Sequence, residues 1–360
     1  MICLFSAHTW GETKPVLNKG KKWRIGYYEG GPYSEYGKTM KTLIEGLMDL
    51  GWIEKQTLPE FKGDTVKPYW SWLVHNPGNY LSFSPHNAYS ADWDENTRKE
   101  VKTKLLKKLK SGSLDLVIAM GTWAGQDLAN NQHNIPTIVL STSDPIKAGI
   151  IKSVEDSGLD HVTARVDPSR YLRQLRMFHR LVGFKKLGVA YEDTADGRIY
   201  SVLDEINQVA AERGFDVVKC TIVETNVEDS IADESCNQCY QQLSRQADAV
   251  YITPLTCVDR QVENYVKIFN AHKTPTFSLV GSVLVKRGVL LSISSDSGYD
   301  KQGTYNAEKI AAILNGAKPR TLKQMLADPL DISINLNTAK KIDFPVPESL
   351  LKIAREIYAQ

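Results

Sequence analysis

No apolar run in this sequence approaches the roughly 20 residues needed to span a bilayer, so no transmembrane anchor is predicted. There is no charge excess either. Forty-four Lys and Arg stand against 42 Asp and Glu, a formal net charge of +2. That balance gives no basic face for nucleic acid. The basic segment KTKLLKKLK at 102–110 does not alter this. Val101, Leu105, Leu106 and Leu109 give it the apolar stripe of an amphipathic helix whose charges face water. Catalytic signatures are absent: there is no G-x-S-x-G elbow, no H-E-x-x-H and no G-x-x-x-x-G-K phosphate loop. The glycines of YEGGPY (28–33) lack dinucleotide spacing. The seven histidines, at 8, 75, 86, 133, 161, 179 and 272, are scattered without metal-ligand spacing. No catalytic residue, metal or cofactor is therefore predicted.

Cysteine is scarce, and its placement is uneven. Cys3 lies in the leader, whereas Cys220, Cys236, Cys239 and Cys257 all fall in the second half. An even count confined to one region fits disulfides in an exported protein. Free thiols remain an alternative, as does a metal or redox role for the Cys236–Cys239 pair. The chain opens on MICLFSA, short and apolar, followed by a polar, turn-rich stretch. This reads as the tail of a secretory signal and predicts export; the alternative is a leader of a cytosolic protein.

What is present in quantity is alternation. Strand-like runs at 23–30, 115–120, 136–142, 185–192, 215–223, 247–253, 274–280 and 288–294 are separated by helical patterns. The helices are expected at 34–50, 123–130, 168–182, 199–213, 229–245, 260–271 and 300–314. The β-α-β series runs twice, so the fold class is α/β, with two doubly wound parallel-sheet lobes. At 360 residues two domains are natural. In open parallel sheets ligands lie beyond the carboxyl ends of the strands, and four such ends here are small and polar. The first is GTWAGQD after 115–120, where Thr122 and a helix N-terminus offer donors and Trp123 offers an apolar wall. The others are STSDP with Asp144, YEDTADGR with Glu192, Asp193 and Thr194, and TPLTC. An Asp such as Asp144 can hold an ammonium group or cap its own turn. The aromatic stretch at 58–93 carries Tyr69, Trp70, Trp72, Tyr80, Phe83, Tyr89 and Trp93. It is expected to be an insertion pinned by aromatic burial, with a ligand platform as the alternative.

These residues resemble a family. DLVIAMGTWAGQDLANN followed by IPTIVLSTSDPIKAGII is similar to the D-[apolar]-GT-x-A-x-Q…IP-[apolar]-DP-x-x-A-G pattern of substrate-binding proteins of bacterial ABC importers. The branch meant is the one that includes tryptophan, tyrosine and phenylalanine binders. KKLGVAYEDTADG, ADAVYITPLTCVD, DSGYDKQGTYNAEKIAAILNGAKP and DISINLNTAKKIDFPVPESLLKIA resemble its later segments in the same order, covering nearly all of 22–358. Three places depart from the pattern: the aromatic insertion, the acidic Glu192-Asp193-Thr194, and Leu255 where a polar residue is common.

The resemblance implies a type I periplasmic-binding fold with two lobes joined by a multi-strand hinge and ligand closed between them. It implies a leader at 1–21, lobe 1 at 22–144 plus 281–330, and lobe 2 with the hinge return at 145–280 plus 331–360. The ligand residues it implies are Gly31, Tyr33, Thr122, Trp123, Ala124, Ser143, Asp144, Glu192, Asp193, Thr194, Thr253, Leu255 and Gly281. The ligand would be a small molecule, such as an aromatic or branched amino acid or a related carboxylate. The chain would act as an extracytoplasmic monomer with a transient permease partner in the membrane. Rival readings are a ligand-sensing module of a signalling system and a thiol-dependent enzyme.

Overall fold

The computed structural model describes residues 12–61, 65–279, 281–294 and 297–359. The leader beginning at Met1, with Cys3, lies mostly outside them. The chain divides into two compact units, 1–166 with 299–326, and 167–298 with 327–360. It therefore passes from one unit to the other three times.

The first unit is built on parallel strands β1 (Trp23–Glu29), β2 (Leu81–Ser82), β3 (Ala88–Ser90), β4 (Leu116–Met120), β5 (Thr137–Leu140) and β6 (Val162–Ala164). Their order is β2-β1-β4-β5-β6, with β3 also on β1. Every residue of β4 and β5 is buried, as expected of strands covered on both faces. The aromatic insertion does what burial predicts for it. It supplies helix Lys67–His75 and then β2 and β3, which extend the sheet along one edge of β1. Trp70 packs at 5.6 Å from Tyr27 and 5.4 Å from Phe83. Helix Ser297–Leu314 returns to this unit so closely that a Cβ on Gly46 would lie 2.9 Å from that of Ala307. The polar segment before β1 is docked on the same unit, since Trp23 and Trp52 donate to the carbonyls of Val16 and Thr13.

The second unit carries β7 (Lys186–Glu192), β8 (Asp216–Ile222), β9 (Ala249–Tyr251), β10 (Thr276–Ser278), β11 (Leu291–Ser292), β12 (Ile332–Asn335) and β13 (Ala354–Tyr358), in the order β13-β12-β11-β10-β9-β7-β8. Among the described strand pairs of this unit, only β11 with β12 is antiparallel. Sequence periodicity does not reveal β6, β12 or β13, which are short or sit beside turn-rich segments. The helix expected over 199–213 is two helices, Ala195–Tyr200 and Leu203–Arg213. They are broken at Val202, whose φ of 51° is left-handed. The four cysteines of this unit are bonded as Cys220–Cys239 and Cys236–Cys257. Helix Asp229–Gln246 is thereby tied to β8 on one side and to helix Thr256–Ala271 on the other.

At the amino edge of the first sheet, away from the strand ends considered below, two buried histidines touch. His133 and His161 are 8% and 7% exposed, with ring centroids 4.6 Å apart. Burial pushes the His133 imidazole down to about 4, and the neighbouring His161 adds to the effect.

Two outcomes follow. Peptide mapping of unreduced protein is expected to link Cys220 to Cys239 and Cys236 to Cys257. Each closes a loop of about 20 residues worth about 3 kcal/mol, so reduction lowers the melting temperature. For His133 the folded-state value lies below the unfolded value of about 6.5. Its contribution is therefore full above that pH and is lost as pH falls toward 4, by about 3 kcal/mol. Urea midpoints measured at pH 7 and pH 4.5 should fall less for His133→Gln than for the parent chain.

Candidate functional site

The carboxyl edge of the first sheet gathers most of the residues singled out by sequence. Strand β4 ends at Met120 and the chain becomes helix at Gly121, with no intervening loop. The helix runs Gly121–Leu128, two residues earlier than the sequence pattern suggests. Met120 therefore occupies the cap position, and no side chain caps the first turn. Thr122 lies inside that turn, half-buried, and is not the cap. The first-turn N–H groups carry the positive end of the helix dipole at the edge of the sheet.

Gly121 has a structural cause. Its φ is 85°, and a Cβ there would collide with the Tyr36 hydroxyl. The glycine thus makes room for Tyr36. Tyr33, half-buried, meets the same Tyr36 ring edge-on at 5.3 Å. Gly30 and Gly31, following β1, are equally forced. A Cβ on Gly30 would fall 2.8 Å from Trp93 and 2.9 Å from Trp123, and one on Gly31 2.5 Å from Trp93.

Trp123 is not the exposed indole that its place in the sequence suggests. It is 8% exposed and lies in the apolar core, edge-on to Trp93 at 5.5 Å. The Arg98 guanidinium sits 4.4 Å from the ring centroid, a cation–π contact. Arg98 is itself held by the buried Asp127, which also takes the Tyr28 hydroxyl at 2.7 Å and Lys102 at 3.0 Å. Ala124 is fully buried beside it.

Beyond β5, Ser141 is left-handed at φ 54°, and Ser143 and Asp144 are half-buried. One Asp144 oxygen accepts from the N–H groups of Ile146 and Lys147 at 2.9 and 3.0 Å, so it caps its own turn. Thr142 was not distinguished in the sequence from its neighbours. It follows by two residues Leu140, which pairs with Met120. It is 9% exposed, and its Oγ1 has no hydrogen-bond partner. A buried hydroxyl without a partner is uncommon and calls for an explanation. Glu29, at the end of β1, is a buried acid of this edge. Burial raises its carboxyl above the ordinary range although Tyr27 donates to it at 2.5 Å. Neither Thr142 nor Glu29 carries a motif; only burial in three dimensions singles them out.

The carboxyl edge of the second sheet is stitched by its own acids. Glu192, at the end of β7, accepts from the N–H groups of Glu224 and Thr225 and from the Thr225 hydroxyl at 2.6 Å. Glu224, just past β8, accepts from the N–H groups of Thr256 and Cys257, so a side-chain carboxylate occupies the N-terminus of helix Thr256–Ala271. Asp193 pairs with Arg198 in solvent, and Thr194 caps helix Ala195–Tyr200. Thr253 is fully buried and donates to the Ala190 carbonyl at 2.6 Å. Leu255 is core, and Gly281 is buried at a left-handed φ of 44°. Among the described residues no group of three or more His, Cys, Asp or Glu could hold a metal.

The packing of Trp123 sets an expected outcome. Trp123→Ala removes the contacts with Trp93 and Arg98 and should destabilise the chain by about 3–5 kcal/mol. Gly121→Ala should also lower the melting temperature, because it adds a Cβ at positive φ against Tyr36. Thermal unfolding of both variants checks this.

Comparison with known proteins agrees with this architecture. Residues 90–358 match the family described as ABC transporter substrate binding protein. A protein named Tyrosine-binding protein, from Clostridioides difficile (strain R20291), is 27% identical over 241 residues. That match spans 66% of this chain and 66% of the relative, a little under two thirds of its length. Among solved structures, an ABC domain in complex with L-Trp from Streptococcus pneumonia superposes with a TM-score of 0.71 at 19% identity, covering 94% of this chain and all of that one. A conserved domain protein from Vibrio cholerae gives 0.70 at 20% identity, with the same coverage. At these identities the likeness establishes the fold, the two-lobed type I periplasmic-binding architecture. With three quarters of its length matched by the family, the chain belongs to the ABC transporter substrate-binding proteins.

Proposed function

We propose that the chain binds a small amino acid or related carboxylate with an aromatic or branched body, using the carboxyl edges of its sheets, and delivers it to an importer's permease. The observation that carries this reading is the pairing of two features at one edge. They are a helix N-terminus that no side chain caps, and the buried Thr142 hydroxyl without a partner. Both suit a ligand carboxylate, which accepts hydrogen bonds from amides and hydroxyls alike. Glu29, buried beside Tyr27, Ser90 and Asp92 and no cation among them, is suited to a ligand ammonium. Trp123 acts here through packing, since its ring is already covered by Trp93 and Arg98. Gly31, Tyr33, Thr122, Ala124, Ser143 and Asp144 belong to the same edge. On the second unit Glu192, Asp193, Thr194, Thr253, Leu255 and Gly281 are the corresponding candidates. The proteins named for tyrosine and solved with L-Trp support the ligand class. No bond is made or broken in this role.

An extracytoplasmic location follows the family's role, and the two disulfides support it, because such bonds persist in oxidising compartments. No helix among the described residues is long and apolar enough to cross a membrane. The chain would act as a monomer that meets its permease transiently.

A panel of amino acids, benzoates, sugars and nucleosides tests the class. Aromatic or branched amino acids, or benzoates, should raise the melting temperature. At 100 times the dissociation constant the gain is about 2.7 kcal/mol. A response to sugars or nucleosides alone would contradict the reading. Thr142→Val keeps the shape of the side chain and removes only the hydroxyl. It should leave the melting temperature of the free protein unchanged or higher. It should weaken the ligand about tenfold or more by calorimetric titration, the loss of a hydrogen bond to a charged group.

A further inference from the structure

The net charge of +2 conceals an uneven distribution. The amino edge of the first sheet, where the chain enters its strands, collects lysines without matching carboxylates. The segment leading into β1 brings Lys19, Lys21 and Lys22, all exposed. Helix Glu95–Lys110 ends at the same edge and brings Lys107, Lys108 and Lys110. Asp115 joins the two groups, since it closely follows that helix and accepts from Asn18 Nδ2 at 3.2 Å. All of these residues belong to the first unit.

The carboxylates nearby are committed elsewhere. Asp115 is bidentate to Arg24, at 2.9 and 2.7 Å, and so offsets none of the six lysines. Asp160 and Asp156, further along the edge, are taken by Lys318 and Arg320. Glu54, beside Gly78, offsets one lysine at most. Lys22 spends its ammonium on the neutral Gly78 carbonyl, and Lys108 on the Asn87 amide oxygen and the His86 carbonyl. Lys19, Lys21, Lys107 and Lys110 are exposed, and among the described residues no ion pair or hydrogen bond engages their ammoniums. The edge therefore carries a positive surplus.

The same segment holds apolar side chains out to water. Asn18 and Lys21 exchange backbone hydrogen bonds at 2.8 and 3.0 Å around Lys19 and Gly20, which are left-handed at φ 50° and 79°. That is a tight two-residue turn. Just before it, Val16 is 37% and Leu17 43% exposed. The backbone here is fixed, because Trp23 donates to the Val16 carbonyl, Trp52 to that of Thr13 and Asn315 to that of Lys14. The two aliphatic side chains therefore stay outside, flanked by lysines. A protein partner's carboxylates would favour the planar fork of arginine, whereas mobile lysine ammoniums suit a diffuse negative field. Aliphatic side chains among such lysines suit a surface that is anionic outside and apolar beneath.

We propose that this amino edge is a docking surface for an anionic lipid bilayer. Val16 and Leu17 enter the headgroup region, and the lysines around them face the lipid phosphates. The uncapped helix N-terminus and Thr142 lie at the carboxyl edge of the same sheet, so docking leaves them open to ligand.

Sedimentation of the full chain with vesicles tests this. One set is phosphatidylcholine alone, the other equal parts phosphatidylcholine and phosphatidylglycerol. The chain should partition onto the anionic set and not the neutral one, and added salt should release it. The double change Lys19→Glu with Lys21→Glu, both exposed on the turn, should lower that partition by about tenfold or more. Leu17→Asn should lower it several-fold. Melting temperatures should be unchanged in both variants. Failure to sediment with the anionic vesicles, or equal partition onto the neutral ones, would overturn the proposal. Undiminished partition of the double variant would overturn the role of this edge, and undiminished partition of Leu17→Asn the entry of the apolar pair. Binding to duplex DNA or heparin without binding to vesicles would reassign the lysines to a soluble polyanion and overturn the bilayer. None of these outcomes depends on the ligand of the opposite edge.

Discussion

The passage of β4 directly into a helix at Gly121 is the constraint around which the first unit is arranged. A buried parallel strand must surrender its last backbone groups at the sheet edge, and here a helix begins at once with no side-chain cap. Tyr36 fills the space in front of Gly121, and only a residue without Cβ at positive φ allows that contact. Trp123, one step further on, wedges between Trp93 and Arg98, and the Gly30–Gly31 pair lies flat against the two indoles. Arg98 is fixed in turn by Asp127. The result is a rigid, largely buried frame that holds a row of helix N–H groups in one place.

The second unit solves the same problem by different means. Its strand ends are satisfied internally, through Glu192 onto Glu224 and Thr225, and through Glu224 onto the helix that starts at Thr256. Burial raises the Glu224 carboxyl, and the nearby Glu192 adds to it. Disulfides then lock the helix between β8 and helix Thr256–Ala271. One edge thus keeps donors free, and the other closes its donors with its own acids.

Much of this fold is legible in the sequence, because long buried strands and strongly periodic helices announce themselves. The strands from β7 to β10 and the helix over 34–49 need only periodicity. β6, β12 and β13 do not, since three to five residues beside turns carry no period. The site is less legible. Position after a strand points to Thr122, Asp144 and Glu192, yet most of what these do locally is structural: Asp144 caps a turn and Glu192 ties two strand ends. Trp123 reads as a wall because nothing in its neighbours announces that Trp93 and Arg98 will cover it. Thr142 and Glu29 are invisible as motifs, and only their burial identifies them. The paired thiols were foreseeable as disulfides, but their connectivity depends on which sulfurs helix Asp229–Gln246 turns to each side.

Native mass spectrometry of protein purified gently from its own host tests the central claim most directly, followed by release and identification of whatever it carries. The account predicts one bound molecule per chain whose mass is that of an aromatic or branched amino acid or a benzoate-like acid, lost on denaturation. A retained sugar, nucleoside or peptide in its place would contradict it.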